Sequence, residues 1–133
     1  MSERAVVRTF VIGNCLLGAG VLGGVFAALP VRYWAVDVPA AALAALAFVS
    51  AFGLARGLGW GRSALRWSAR CELALGLLAL AALALSVAYL GGVHGALGKA
   101  GLNALVLGGL LIAPYLIAYP LLQLVWLRGS RDV

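Results

Sequence analysis

Tyr115, Tyr119 and Gln123 fall at i, i+4 and i+8, so on a helix they form a single polar stripe. Phenol and amide groups in that arrangement can hydrogen-bond a small molecule or a lipid, or can be spent on a neighbouring helix. Pro114 and Pro120 lie beside the stripe, and each removes a backbone hydrogen bond and can kink the helix. Carbonyls freed at such kinks must find partners or line a cavity. The stripe is therefore the expected ligand face, with Asn103 nearer the other end of the same segment.

Arg62, Arg66 and Arg70 recur every four residues and make a second row. Trp60, Ala64, Trp67 and Cys71 recur at i, i+4, i+7 and i+11 on a different side. Together they describe a short basic helix in a membrane interface, with tryptophans toward the acyl chains and arginines among phosphates. The arginines are expected to contact anionic lipid or an acidic partner surface; the alternative is a solvated topology signal. Gly57, Gly59 and Gly61 weaken helix formation, so this helix is expected to start near Arg62 and run into the apolar segment that follows.

Asn14 lies inside an apolar run, with Gly18 one turn further on and Gly20 and Gly24 forming a GxxxG. Small residues let membrane helices approach, and an amide bonding across such a contact contributes about 0.6–2 kcal/mol. Ala47 and Ala51 offer a matching small stripe, continued by Ala55. Asn14, Gly18, Gly20, Gly24, Ala47 and Ala51 are thus the expected helix-packing residues.

The remaining polar groups read as structural. Glu72 stands at a helix start next to Arg70 and is expected to form an interfacial ion pair. Asp37, two residues before Pro39, reads as a helix N-cap with Arg32 as partner. His94 and Lys99 share a glycine-rich loop. No Ser–His–Asp set has workable spacing, no GxxxxGK[ST] occurs, and Cys15 and Cys71 form no C-x-x-C. No catalytic residue, metal site or cofactor is expected, and the chain is read as non-enzymatic.

The elements that must position these groups follow from composition. The chain has 133 residues, of which 65% are hydrophobic and 11% charged, with a mean hydropathy of +1.08. A soluble chain carries about 25% charged residues, and disorder needs low hydrophobicity, so neither class fits. A helix crosses a hydrocarbon layer about 30 Å thick with roughly 20 apolar residues. Four stretches qualify, at about 10–29, 38–55, 73–90 and 101–127. None alternates in polarity as a barrel strand would. The expected fold is a single all-α domain over residues 1–133: a four-transmembrane-helix up-down bundle with the short basic interfacial helix between the second and third spans.

The net charge of +6 fits that layout. Arg4, Arg8, Arg56, Arg62, Arg66, Arg70, Arg128 and Arg131 share one side of a four-span chain, leaving Arg32 and Lys99 on the other. By the positive-inside rule both termini are expected in the cytoplasm, with the protein in the cell inner membrane. Trp60, Trp67 and Trp126 mark the inner interface and Trp34 the outer. A cleaved signal peptide ending near Val25-Phe26-Ala27 is the rival reading; the apolar run is long for one, and no soluble mature domain follows.

The inner loop, Gly57-Leu58-Gly59-Trp60 through Arg66-Trp67-Ser68-Ala69-Arg70, resembles that of many short four-span bacterial proteins. The resemblance is one of topology and implies no activity. The expected partners are membrane lipids and other transmembrane helices, in a homo- or hetero-oligomer, and not nucleic acid. The expected role is an accessory subunit of a membrane complex or a homo-oligomer. The alternatives are a small oligomeric transporter or channel, and a lipid-modifying enzyme.

Overall fold

A computed structural model of the chain describes residues 2–28, 33–91 and 96–129. Its elements are α1 (Glu3–Leu22), which continues as a π-helical segment (Gly23–Ala28), then α2 (Trp34–Ala55), α3 (Gly61–Gly91) and α4 (Ala96–Gly129). Among the described residues there is no strand. Four helices are long and apolar enough to cross a membrane. Each contains the described part of its expected span and runs past it, because arginine, alanine and leucine all propagate a helix beyond the point where hydropathy falls.

The basic stretch begins where expected and runs on into the apolar segment: Arg62, Arg66 and Arg70 occupy the first turns of α3, which starts at Gly61 and is unbroken to Gly91, so it is the start of the third span rather than a separate short helix. One expectation about helix starts is corrected. Asp37 is not an N-cap. The position before α2 is Tyr33, and Asp37 sits in the first turn, where a carboxylate suits the positive end of the helix dipole. Arg32, its expected partner, lies outside the described residues, as do His94 and Arg131.

The α2–α3 connection is tight for a local reason. Gly57 has φ +63°, the left-handed conformation that side chains disfavour. The Leu58 N–H donates to Gly53 O at 2.9 Å and the Gly57 N–H to Leu54 O at 3.1 Å. This is a Schellman cap, which satisfies two carbonyls at the end of α2. The chain returns so closely that a Cβ on Gly61 would stand 2.5 Å from Gly53 C and 2.8 Å from Leu54 N.

α1 packs on α2, α2 on α3 and α3 on α4. Gly18 of α1 meets the Phe48 ring of α2, and Gly76 of α3 meets Leu116 of α4. The apolar core is at the arginine-bearing end: Phe10, Leu54, Leu65 and Leu127 are buried together, with Val6, Val7, Val11, Tyr119 and Trp126 against them. Phe10 meets Trp126 edge-on at 5.3 Å between ring centroids. Toward the opposite end, Leu78, Leu85, Tyr89, Leu107 and Leu110 are exposed.

Candidate functional site

Asn14 is the hub of the interior. Its side chain is fully buried on α1, one turn beyond Phe10. The Nδ2 group donates to Ser50 Oγ of α2 at 2.6 Å, and the Ser50 hydroxyl in turn donates to Ala47 O at 2.8 Å. Oδ1 accepts from Tyr119 OH and from Gln123 Nε2 of α4, both at 2.7 Å. Three helices are thus joined through one amide that uses three of its four hydrogen-bonding positions. The backbones of α1 and α4 are not in close register here; long side chains bridge them.

The bridge depends on a missing side chain. A Cβ on Gly13 would overlap the Tyr119 phenol, so the ring reaches Asn14 only because residue 13 is glycine. Tyr115 stacks on Tyr119, with centroids 5.2 Å apart and planes 4° off parallel, and donates to Gly13 O at 3.3 Å. The stripe expected to face a ligand is therefore turned toward α1: Gln123 is fully buried, Tyr119 half-buried, and Tyr115 exposed at its edge.

The expected packing residues divide. Asn14, Gly18, Ala47 and Ala51 are buried between α1 and its neighbours. Gly20 and Gly24 have open space where a Cβ would stand, with no described residue within 4 Å of that position. Gly13 and Ser50 were not singled out from the sequence. The available signal was a hydroxyl among the alanines of the second span, at the right spacing to share their face.

The arginine row also divides. Arg62 pairs with Glu3 of α1 and lies 5.6 Å from the Trp126 ring centroid. Arg70 lies over Trp67 at 5.5 Å. Arg66 is half-buried. Arg62 also borders an open groove of about 860 Å³, together with Arg4, Arg8, Val7, Leu54 and Leu58. The buried side of α3 is a third face: Gly61, Leu65, Ser68, Ala69, Glu72 and Gly76.

Glu72 corrects the expected ion pair with Arg70. It is only 4% exposed and points into the protein, while Arg70 is exposed. Positions two apart on a helix do not face each other, so the two side chains part company despite their closeness in sequence. Ser68 Oγ donates to Glu72 Oε1 at 2.7 Å, and Oε2 has no protein partner. Gln123 Oε1 is likewise buried without a partner. Glu72 lines a cavity of about 170 Å³ to which all four helices contribute, among them Leu17, Leu43, Gly76, Tyr115 and Pro120.

Among the described residues, no three His, Cys, Asp or Glu side chains gather to hold a metal ion. No family model matches the chain, and no curated protein or solved structure matches it.

Proposed function

We propose that this chain is a non-enzymatic, multi-pass inner-membrane protein that works by packing against other transmembrane helices, as an accessory subunit or as a homo-oligomer. In this reading its four helices form an up-down bundle with both termini in the cytoplasm. The observation that carries the reading is the division among its small residues. Gly13, Gly18 and Gly76 are consumed by contacts inside the chain, whereas Gly20 and Gly24 stand one turn apart with no described residue within 4 Å of where a Cβ would stand. A GxxxG face left open is the surface on which another membrane helix approaches closely. Ser50 of α2 and Tyr119 and Gln123 of α4 serve the Asn14 hub, which fits a scaffold.

The test is mild extraction followed by crosslinking and native mass measurement. The wild type is expected to run as an oligomer or with a co-purifying membrane protein. Gly20→Leu plus Gly24→Leu is expected to release the monomer. A wild-type chain that is a stable, partner-free monomer overturns the reading.

A second reading, an oligomeric transporter or channel for a small solute, is favoured by one observation, the cavity beside Glu72. The polar stripe supports it less, since Tyr119 and Gln123 bond to Asn14. Vesicle flux that survives Tyr119→Phe plus Gln123→Leu but fails with Glu72→Gln would place transport at the cavity.

A further inference from the structure

A carboxyl group withdrawn from water costs several kcal/mol unless charge and hydrogen bonds compensate it. Glu72 is 4% exposed, and one serine hydroxyl is its single hydrogen-bond partner among the described residues. Its second oxygen, Oε2, is buried and unpartnered. The group is not merely enclosed in packed hydrocarbon, because it borders a cavity of about 170 Å³.

The walls of that cavity specify what fits. Of the described lining residues only Glu72 and Tyr115 carry polar side chains; the others include Leu17, Val21, Leu43 and Leu75. Calcium and magnesium take about six oxygen ligands or more, and zinc about four His, Cys or carboxylate ligands, neither of which this lining supplies. An anion would meet a carboxyl group. A neutral apolar molecule would leave the free carboxyl oxygen unanswered. A cation with a carbon body answers both, with its ammonium on Glu72 and its carbon against leucine and valine. The Tyr115 ring adds a π surface of the kind that attracts such cations. The volume is close to that of an engineered apolar cavity of about 150 Å³ that admits benzene, so the ligand is about that size.

The backbone beside the cavity is irregular in its hydrogen bonding and closely packed. Pro120 has no N–H to donate to Leu116 O, and Gly76 lets the Leu116 backbone approach: a Cβ on Gly76 would stand 2.9 Å from that oxygen. Non-helical hydrogen bonding at a proline is tolerated in membrane proteins where it is buried or lines a cavity.

We propose that the cavity between the four helices binds a small organic ammonium ion, held by Glu72 and flanked by the apolar walls. The site is independent of the helix-packing role and holds whether or not its ligand crosses the membrane.

The test is calorimetric titration of the full chain in detergent micelles with benzylammonium and butylammonium, using benzyl alcohol as the neutral comparison. The wild type is expected to bind one ammonium ion per chain, at least about tenfold more tightly than the alcohol. Glu72→Gln keeps the size of the side chain and is expected to abolish that tenfold preference. Ala79→Phe, at an exposed position on the cavity wall, is expected to block both ligands while Glu72 stays in place. Thermal unfolding of each variant identifies any that does not fold. If Glu72→Gln is lost that way, the amine–alcohol comparison and Ala79→Phe decide. The proposal is overturned if neither ammonium ion binds the wild type, if amine and alcohol bind alike, or if amine binding survives Ala79→Phe.

Discussion

The Tyr119 hydroxyl donates to Asn14 Oδ1 at 2.7 Å, over the one position in that turn of α1 where no Cβ stands, Gly13. The helices meet through a side chain reaching over a bare stretch of backbone. Asn14 then shares the same oxygen with Gln123. The arrangement explains why one amide in an apolar run is tolerated: it is answered from three sides.

Loss of the hub should depend on what is left behind. Asn14→Leu strands Gln123 Nε2, while the Tyr119 hydroxyl keeps Phe10 O as an acceptor at 3.3 Å, and should cost about 1–3 kcal/mol, the usual penalty for a buried group without a partner. Removing Gln123 as well, by Asn14→Leu plus Gln123→Leu, should recover part of that loss. Unfolding titrations in mixed micelles measure both. A double variant that loses the full sum of the two single losses would show that the amides are not coupled.

Gly13 and Gly108 should respond oppositely to alanine. At Gly13 the new methyl overlaps the Tyr119 ring and should destabilise by about 1–3 kcal/mol, the range for overpacking. At Gly108 nothing lies within 4 Å, and alanine should stabilise by up to about 1 kcal/mol through helix propensity. Tyr119→Phe in the Gly13→Ala background should relieve part of the clash, because the hydroxyl is the atom nearest the added methyl. Unfolding midpoints of the three variants check the pattern.

Gly57→Ala should cost about 1–2 kcal/mol, since a Cβ is poorly accommodated at φ +63°. Gly59→Ala, in the same connection but with open space around it, is the control and should change stability little. Equal effects at the two positions would remove the left-handed cap as the reason for Gly57.

Arg62→Ala should cost less than about 1 kcal/mol, because both members of the Glu3 pair are substantially exposed and screened by water. The small loss should shrink further at high salt. Its larger signature should be optical: with the guanidinium gone from above Trp126, tryptophan emission should shift. An unchanged emission spectrum would count against the stacked arrangement.

The four helices were legible because long apolar runs leave few alternatives, and Asn14 with Ala47 and Ala51 was legible because a polar group and small residues stand out at helical spacing. The stripe of Tyr115, Tyr119 and Gln123 was also readable as a face. Its target was not, since periodicity gives which residues share a side but not how that side is rotated against a neighbour. Ser50 and Gly13 escaped for the same reason: their contacts are set by the relative rotation of three helices. Glu72 was misread through proximity. Arg70 is two residues away in the chain, yet on a helix that places it on a different side.

The π-helical segment at Gly23–Ala28 has a genetic consequence. A π turn holds one residue more than the α-helix it replaces, and such bulges sit inside otherwise regular helices. The end of α1 can therefore absorb a one-codon deletion by tightening into an α turn, with Asn14 and Gly18 keeping their phase. The same deletion between Gly13 and Gly18 would turn everything beyond it by about 100°, carrying Leu17 and Gly18 off α2. Tolerance to single-residue deletions should accordingly rise past Gly23, where the extra residue of the π turn can be given up, and a growth or expression screen reads it.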